Sequence, residues 1–365
     1  MDETPFPQVD LDRLEANLER MAGYAARHSL RLRPHIKTHK SPKIAAEQMR
    51  RGAVGLTCAT LLEAEIMAGV ADDLLLAYPP VGPAKLQRLL ALPADCDVTV
   101  ALDSREVLEQ LAAAARQYDR EIGVLLELDL GMRRVGLSVE GAVDLAGLIL
   151  KLQPLEYRGI TFYPGHIRQQ VSRQAEELDR LRRGVRTVVE ALDRAGMPPG
   201  VVSGGSTPTA WRTHELPDVT EIRPGTYVYN DRNTALLGAC AWSDCAFTIV
   251  ATIVSTSVQD QAVIDAGSKA LGREPAETEA EGYGALLDRP DIVVRRLSEE
   301  HGILDLSRTT WRPTVGEQVR VVPNHVCIAV HLHEVVYGVR GDGLETSWPV
   351  VARGRRPLRA SVEVE

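Results

Sequence analysis

The stretch RLRPHIKTHKSP, residues 31–42, runs from a short apolar segment into a turn and then into a helical pattern. Alternation along an extended segment predicts that His35 and Lys37 point to the same face. Ser41 fits a helix N-cap, and Pro42 fits the first helical turn. Lys37 is therefore expected near the C-terminal end of a strand, which is where α/β barrels place their chemistry.

Lys37 is a candidate for covalent chemistry. Burial disfavours the charged form of an amine, so a lysine in a confined site can act as a nucleophile toward an aldehyde. The spacing alone is equally compatible with a surface lysine beside a turn. Lys40 and Lys43 fall in the following loop and helix and are expected to be solvated.

Outward from this stretch, apolar runs alternate with amphipathic segments over the first 230 residues. Candidate strands are 31–37, 54–58, 73–77, 97–102, 122–128, 157–163, 200–203 and 222–229, and candidate helices include 11–27, 104–117 and 168–196. The run at 122–128 is apolar on both faces, as a parallel strand covered by helices requires. The alternation predicts an α/β fold with a (β/α)8 TIM-type barrel over residues 11–237.

The pattern changes from about residue 240. Segments rich in β-branched residues are separated by Gly, Pro and charged turns, at 246–257, 261–266, 291–297, 315–322 and 325–336. They predict a second, mainly β C-terminal domain over residues 238–365, joined by residues 1–10. The polar, Gly-rich segment 272–284 is predicted to be a surface loop.

Length and charge restrict the class of protein. The 365 residues suffice for a barrel of roughly 250 residues and a smaller partner domain. A net charge of -8 without a basic block argues against nucleic acid or anionic membranes as main partners. We expect a soluble, unexported protein, because no apolar run of 18 residues and no leader pattern are present. Five cysteines without CxxC spacing indicate reduced thiols, and hence a cytoplasmic location.

Two glycine-containing stretches follow the seventh and eighth candidate strands, SGGST at 203–207 and RPGT at 223–226. Backbone N–H groups at a helix start bind phosphate esters, and the loops after strands 7 and 8 are the usual phosphate site of a barrel. Each stretch alone is compatible with a tight turn. Together, at these two strands, they favour a phosphate site.

His325 and Cys327 are separated by one residue in a segment with a β pattern. On a strand their side chains would leave the same face about 6–7 Å apart, and a nitrogen and sulfur donor pair prefers zinc. Two core residues remain the alternative. His331 and His333 share the parity, but His331 would lie roughly 20 Å from His325 on a strand, too far for the same ion. They are taken as ordinary strand residues or a separate feature.

A series of motifs carries a family resemblance. They are PHIKTHK (34–40), CATLLEAEIM (58–67), LLLAYPPVGP (74–83), GMRRVG (131–136), YPGH (163–166), SGGSTPT (203–209), EIRPGTYVYND (221–231), DAGSKA (265–270), EEHG (299–302) and PNHVC (323–327). In this order they resemble the D-threonine aldolase/D-serine dehydratase group of fold-type III, alanine racemase-like enzymes that depend on pyridoxal phosphate. The motifs span most of the chain.

This resemblance implies roles for individual residues. Lys37 would hold the cofactor as a Schiff base, Tyr163 would face its ring, and Arg134 would lie near it, whereas Arg133 would be a surface charge. Tyr163 and His166 could instead be core residues. The remaining implied contacts are His166 near the ring, Arg223 at the pyridine nitrogen, Gly204, Gly205, Ser206, Gly225 and Thr226 at the phosphate, and His325 and Cys327 at a divalent metal, zinc by preference. A homodimer is also implied.

The resemblance further implies a lyase acting on β-hydroxy D-amino acids. In the β-elimination that we expect, Lys37 removes the α-proton, zinc binds the β-hydroxyl, and a keto acid and ammonia are released. Dehydratase-like members share the His-x-Cys pair, whereas D-threonine aldolases typically carry Asp in place of the cysteine. The segment CIAVHLHE (327–334) departs from the family pattern.

Three alternatives stay open. The first is retro-aldol cleavage to glycine and an aldehyde with the same residues. The second is an amino-acid racemase, although the sequence identifies no second acid/base for the opposite face of the ring. The third is a non-catalytic cofactor-binding protein, against which the second domain and the His-x-Cys pair argue.

Overall fold

The computed structural model describes residues 3–355 and contains two sheets within them. The first sheet is parallel, with strand order β2-β9-β8-β7-β6-β5-β4-β3, and the second has nine strands that pair mostly antiparallel. The N-terminal strand β1 (Phe6–Asp10) lies in the second sheet, between β10 and β16. The predicted barrel with an additional β-rich region is confirmed.

The parallel strands are β2 (Arg31–Leu32), β3 (Leu56–Cys58), β4 (Asp73–Leu76), β5 (Asp97–Leu102), β6 (Ile122–Leu128), β7 (Leu155–Phe162), β8 (Val201–Gly204) and β9 (Glu221–Ile222). A parallel bridge between His35, just after β2, and Thr57 of β3 joins the two edges of the sheet. Closure removes the exposed strand edges that an open sheet would leave.

The strands of the second sheet that follow the barrel are β10 (Phe247–Ser255), β11 (Gln261–Ile264), β12 (Gly284–Leu286), β13 (Arg289–Leu297), β14 (Gly302–Asp305), β15 (Gln318–Pro323), β16 (Val335–Arg340) and β17 (Gly343–Pro349). The predicted strands at 246–257, 261–266, 291–297 and 315–322 are each found with small shifts of their ends. The fifth predicted strand is treated below.

The helices are α1 (Leu11–Arg27), α2 (Pro42–Arg50), α3 (Leu61–Met67), α4 (Pro83–Leu90), α5 (Arg105–Gln117), α6 (Val139–Ile149), α7 (Ala175–Arg194), α8 (Arg232–Leu236), α9 (Ser268–Leu271) and α10 (Val326–Leu332). Side chains cap several of them: Asp10 accepts from the Arg13 N–H at the start of α1, and Ser104 accepts from the Val107 N–H at the start of α5. No helix within residues 3–355 is long and apolar enough to cross a membrane.

A buried charge network ties the barrel together at its first strand. The Arg33 guanidinium donates to both oxygens of Asp73 at 2.6 and 2.8 Å and to Glu221 at 2.9 Å. Because Arg33 and Glu221 are both buried, each charge depends on its partner. Arg33 thereby links β2 to β4 and β9.

Three predicted elements differ from the structure. The first predicted strand, 31–37, ends at Leu32, since Pro34 has no N–H to donate to a ladder; Lys37 lies instead in a 3-10 turn, Ile36–Thr38. The eighth, 222–229, ends at Ile222 for the same reason at Pro224, and a 3-10 turn occupies Thr226–Val228. The predicted helix 168–196 is shorter, because a 3-10 turn at Val171–Arg173 precedes α7.

The predicted strand 325–336 is wrong over most of its length. Its first part is the helix α10, and the strand β16 begins only at Val335. Val326, Ala329 and Val330 are buried, which is the i, i+3, i+4 spacing of a helix. Short β-branched runs do not distinguish a buried helical turn from a strand.

The prediction for Lys40 is also wrong. Lys40 is buried and forms a salt bridge with Glu63, which is fully buried. Lys40 has a φ of 51°, in the left-handed region, and its amine contacts Glu63 of α3. Lys43 is exposed, as expected.

Candidate functional site

Lys37 lines a cavity of about 400 Å³ at the C-terminal ends of the barrel strands. The cavity is lined, among others, by His35, Lys37, Glu127, Arg134, Tyr163 and Arg223. These side chains come from the ends of different strands, which meet at one end of a parallel barrel. The structure thus brings four of the predicted site residues together: Lys37, Tyr163, Arg134 and Arg223.

Two cationic side chains face the ring of Tyr163. The Lys37 Nζ lies 5.6 Å from the ring centroid, and the Arg134 guanidinium carbon lies 5.1 Å from it. Within residues 3–355 the Lys37 amine has no salt bridge or hydrogen bond, in contrast to the paired amine of Lys40. An unpaired amine on the wall of a cavity is available to a ligand.

Arg223 is buried and Glu127 is half-buried at this cavity. Arg223 donates from Nη2 to the Phe162 carbonyl at 2.9 Å, and its buried Nε has no partner among the described residues. Burial lowers the pKa of Arg223, and the charge of Glu127 opposes the shift. Burial likewise raises the pKa of Glu127, while Arg223 and Arg134 oppose the shift.

Glu127 was not among the predicted site residues. A signal was present, because it is the only charged residue of the run IGVLLEL that forms β6. A carboxylate in an otherwise apolar barrel strand is costly unless other charges compensate for it. The charges of Arg223 and Arg134 supply that compensation.

His35 lies beside Lys37 and is neutral at physiological pH. Burial, with the charges of Lys37 and Arg223 nearby, holds the pKa of His35 well below its ordinary value. Its Nδ1 is buried and has no partner within residues 3–355. The cavity therefore offers two unpartnered polar atoms, His35 Nδ1 and Arg223 Nε.

The two glycine-containing stretches lie at a second, smaller cavity of about 70 Å³. Ser206 and Thr226 line it together with Tyr163 and His325. Ser206 is the N-cap of the 3-10 helix Thr207–Glu215, and its hydroxyl lies 3.1 Å from the Thr209 hydroxyl. Tyr163 lines both cavities, so an elongated ligand could extend from one to the other.

The glycines serve different purposes. Gly205 has a φ of 103°, a region that favours glycine. A Cβ at Gly225 would lie 3.0 Å from both the His35 carbonyl and the Thr38 hydroxyl, so only glycine lets the two loops approach closely. A Cβ at Gly204 would overlap the ring of Phe162, which indicates a packing requirement at that position.

His325 and Cys327 come together at the start of α10, where His325 is the N-cap. The helix start, not the alternation of a strand, brings the two side chains to one place. The Cys327 Sγ lies 3.2 Å from the Thr38 hydroxyl and 4.0 Å from the Thr226 hydroxyl. Cys327 therefore adjoins both the turn that carries Lys37 and the small cavity.

The two side chains influence each other's ionisation. The charge of Cys327 raises the pKa of His325 to about 12 against the effect of burial, and Asp231 adds to the shift. Burial opposes ionisation of the Cys327 thiol, but His325 and Lys37 lower its pKa to about 7. Over residues 3–355 no group of three or more His, Cys, Asp or Glu side chains is arranged to hold a metal ion.

The structure does not place His166 in either cavity. Its ring lies against Gly131, where an added Cβ would come within 2.8 Å of Nε2, in a surface cleft that Arg133 also lines. Arg133 is exposed, as expected for a surface charge. His331 is in the last turn of α10 and His333 is its C-cap, so neither is a strand residue; His333 Nε2 lies 3.0 Å from the Ala270 carbonyl.

Comparison with protein families finds two matches that together cover most of the chain. Residues 9–233 match the family described as alanine racemase, N-terminal domain. Residues 246–339 match the family described as putative serine dehydratase domain.

Individual relatives match over nearly their full length. The 3-hydroxy-D-aspartate aldolase of Paracoccus denitrificans (strain Pd 1222) is 31% identical, over 97% of this chain and 92% of that protein. The D-threo-3-hydroxyaspartate dehydratase of Delftia sp. (strain HT23) is 32% identical, over 95% and 96%. A structure of a mutant of D-threo-3-hydroxyaspartate dehydratase, described as metal-free, superposes with a TM-score of 0.87 at 30% identity, over 97% and 98%. The D-threonine aldolase of Filomicrobium marinum gives a TM-score of 0.88 at 30% identity, over 96% of each chain.

Proposed function

We propose that this chain, which belongs to the alanine racemase-like family of pyridoxal-phosphate enzymes, eliminates water from β-hydroxy D-amino acids. It is a lyase, and its second region is of the serine dehydratase type. The products would be a keto acid and ammonia. Lys37 would carry the cofactor, and His325 and Cys327 would hold a divalent metal, zinc by preference. The observation that carries the proposal is the contact between the Lys37 turn and Cys327, which puts the amine and the metal donors beside the same pair of cavities.

The residues present fit pyridoxal phosphate. The large cavity offers the Lys37 amine, the ring face of Tyr163 and the Nε of Arg223, and neither of these nitrogens has a hydrogen-bond partner in the part of the chain that the structure describes. Ser206 and Thr226 in the small cavity suit a phosphate ester, together with the close approach that Gly225 allows. When bound, the cofactor supplies an aldehyde for the lysine amine and an electron sink for negative charge at the α-carbon. In this assignment Gly204, Gly205, Ser206, Gly225 and Thr226 surround the phosphate.

Each residue of the large cavity then has a task. The Lys37 amine takes the α-proton of the substrate as general base, because it lines the cavity and has no salt bridge or hydrogen bond with the residues described, 3–355. Tyr163 and Arg134 confine the reacting groups from one side, with the guanidinium against the ring. Arg223, at the position assigned to the pyridine nitrogen, keeps its charge through Glu127. We retain His166 as a predicted residue near the cofactor, although it faces another cleft.

His325 and Cys327 fit a metal ion as an imidazole and a readily ionised thiol. Zinc accepts this donor set, and with two protein donors it would keep positions open for water or substrate. A divalent ion there would act as a Lewis acid toward a β-hydroxyl group. Loss of that hydroxyl from the β-carbon is the step that distinguishes elimination from aldol cleavage.

The experiment is a product analysis with purified enzyme, pyridoxal phosphate and zinc. D-serine, D-threonine and 3-hydroxy-D-aspartate are supplied, with their L-enantiomers as controls, and keto acid, ammonia and glycine are quantified. We expect keto acid and ammonia in equal amounts from the D-enantiomers, and loss of turnover after chelation of the metal. Glycine and an aldehyde as the main products would instead establish the aldolase reaction, which two of the matched relatives carry in their names. No turnover with cofactor bound would favour a binding protein.

Three further expectations complete the proposal. The chain forms a homodimer, which light scattering of the purified protein tests. It resides in the cytoplasm. The barrel comprises residues 11–237, and residues 238–365 with 1–10 form the second domain; the part of that range beyond residue 355, like residues 1–2, lies outside the described residues.

A further inference from the structure

Asp231 is a buried carboxylate with a different task for each of its oxygens. It is fully buried and is the N-cap of α8. Its Oδ1 accepts hydrogen bonds from the Thr234 N–H at 2.8 Å and the Thr234 hydroxyl at 2.9 Å. Its Oδ2 accepts from the Val326 N–H at 3.1 Å and lies 3.2 Å from the His325 Nδ1. One oxygen therefore serves the helix cap, and the other serves the start of α10.

The contact at Oδ2 determines the state of the imidazole. An ionised carboxylate only accepts hydrogen bonds, so the His325 Nδ1 must carry the hydrogen. The lone pair of a neutral ring is then on Nε2, which is the nitrogen left for a metal. The Val326 N–H bond holds the same oxygen against the backbone next to His325, which fixes the orientation of the ring.

We propose that Asp231 is a positioning residue that holds His325 in the Nδ1–H tautomer and orientation needed to bind the divalent metal with Cys327. This inference rests on the proposed function, because it takes His325 and Cys327 as the metal donors. A hydrogen bond from a metal-binding histidine to a carboxylate also raises the basicity of the donor nitrogen. Capping of α8 alone would not require Oδ2, since that cap uses Oδ1, whereas Oδ2 contacts both the first N–H of α10 and the His325 ring.

Asp231→Asn is the informative substitution because it is nearly isosteric. If the amide oxygen keeps the cap on Thr234, the amide NH2 faces two donors, the Val326 N–H and the His325 Nδ1–H. The ring must then turn, or move its hydrogen to Nε2, and either change removes the metal-binding lone pair from its place. We expect zinc affinity to fall by about 10- to 100-fold, while the cofactor absorbance of the holoenzyme stays unchanged.

Thr234→Val is the matched control. It removes the hydroxyl that contacts Oδ1 and so weakens the same cap, but it leaves both contacts of Oδ2 in place. Zinc affinity is measured on chelator-treated holoenzyme by competition with a chromophoric chelator, and thermal unfolding is followed in parallel. We expect Thr234→Val to lower the melting temperature and to leave zinc affinity within about threefold of the wild type, a tolerance set well below the expected loss for Asp231→Asn.

The outcomes separate this inference from the proposed function. Zinc affinity of Asp231→Asn within threefold of the wild type, with His325→Ala and Cys327→Ala deficient in zinc, overturns the role of Asp231 alone. An equal loss in Asp231→Asn and Thr234→Val also overturns it, because the cap would then be the cause. Wild-type affinity in His325→Ala and Cys327→Ala overturns the metal assignment and this inference together.

A second measurement, of the protonation of the His325 ring, uses the wild-type protein and does not depend on whether an Asp231 variant folds. In the zinc-loaded wild-type holoenzyme with 15N-labelled histidine, His325 is assigned by comparison with His325→Gln. We expect its Nε2 to be the metal-bound nitrogen and its Nδ1 to carry the hydrogen. A spectrum with the metal on Nδ1 contradicts the proposal.

Discussion

The two sides of the candidate site are built in different ways. The barrel side contributes side chains that are far apart in the sequence, such as Lys37, Glu127, Tyr163 and Arg223, each at the end of a different strand or in the turn after it. The other side consists of His325 and Cys327 at one helix start, with Asp231 behind them. The barrel side therefore depends on the closure of the whole sheet, whereas the pair His325 and Cys327 depends on the geometry of a single turn.

The charges are compensated differently as well. In the barrel cavity the charges of Arg223 and Arg134 act on Glu127 without a salt bridge among residues 3–355, and Lys37 has no salt-bridge partner there. On the other side each group contacts its neighbour directly, from Asp231 to His325 and from His325 to Cys327. In the proposed function the barrel side binds an anionic ligand with an extended ring, and the other side binds a compact cation. If so, variants of the two sides should have separable effects.

The largest effect is expected for Lys37→Ala. Removing the amine takes away both the attachment of the cofactor and the general base, so we expect lyase activity to fall by at least about 10³-fold and the visible absorbance of the cofactor to disappear. Spectra and product formation check this result. Lys43→Ala, which removes an exposed lysine six residues further along, is the control and should behave as the wild type. A borohydride-trapped adduct mapped to another lysine would contradict the assignment.

Next come His325→Ala and Cys327→Ala. We expect each to lower lyase activity by about 10²-fold or more, since a Lewis acid contributes several kcal/mol to the departure of the hydroxyl. The cofactor absorbance should persist, because the barrel side is untouched. Loss of the cofactor in these variants would show that the two sides are not separable. Metal analysis and spectra of the same samples decide the point.

Lys40→Met tests the buried salt bridge between Lys40 and Glu63, close to the turn that carries Lys37. It leaves Glu63 buried and without its cation, and removing one partner of a buried ion pair costs about 3–5 kcal/mol of unfolding free energy. Chemical denaturation measures that loss. As denaturant is added, the fraction of enzyme without cofactor should rise together with the unfolded fraction, and not at lower denaturant concentrations. An unfolding free energy within about 0.5 kcal/mol of the wild type, the range usual for surface substitutions, would mean that the pair has no structural role.

The smallest effect is expected for Glu127→Gln in cofactor-free enzyme. Burial holds the pKa of Glu127 above its unfolded value, so its contribution to stability is present at low pH and is lost as pH rises through the raised pKa. The variant has no such titration. The melting temperature of Glu127→Gln minus that of the wild type should therefore increase as pH rises from about 4 toward neutrality. The lower limit is about 4 because the carboxyl of the unfolded chain titrates near that pH. A difference that is constant with pH, or that shrinks, would show that the two arginines outweigh burial.

Much of the barrel could be predicted from hydrophobic periodicity, because strands such as Ile122–Leu128 and helices such as Leu11–Arg27 carry strong local patterns. Predictions failed where proline or a short apolar run was decisive. Pro34 and Pro224 ended strands early, and α10 was mistaken for a strand because its seven residues provide too few turns for the helical period to be evident. Lys40 could not be recognised as buried, because its partner Glu63 lies on another element.

The sequence by itself determined the alternation of strands and helices in the barrel, the position of Lys37 close to the end of the first strand, and the His-x-Cys spacing. Local patterns suffice for these, because each depends on residues that are neighbours in the chain. Only the tertiary structure decided that Glu127 faces Arg223 and Arg134, that His166 faces another cleft, and that Asp231 lies against His325 from 94 residues away. Such contacts depend on how the barrel closes and how the second sheet packs on it. The residues next to a carboxylate in the sequence do not indicate which distant side chain it will contact after folding.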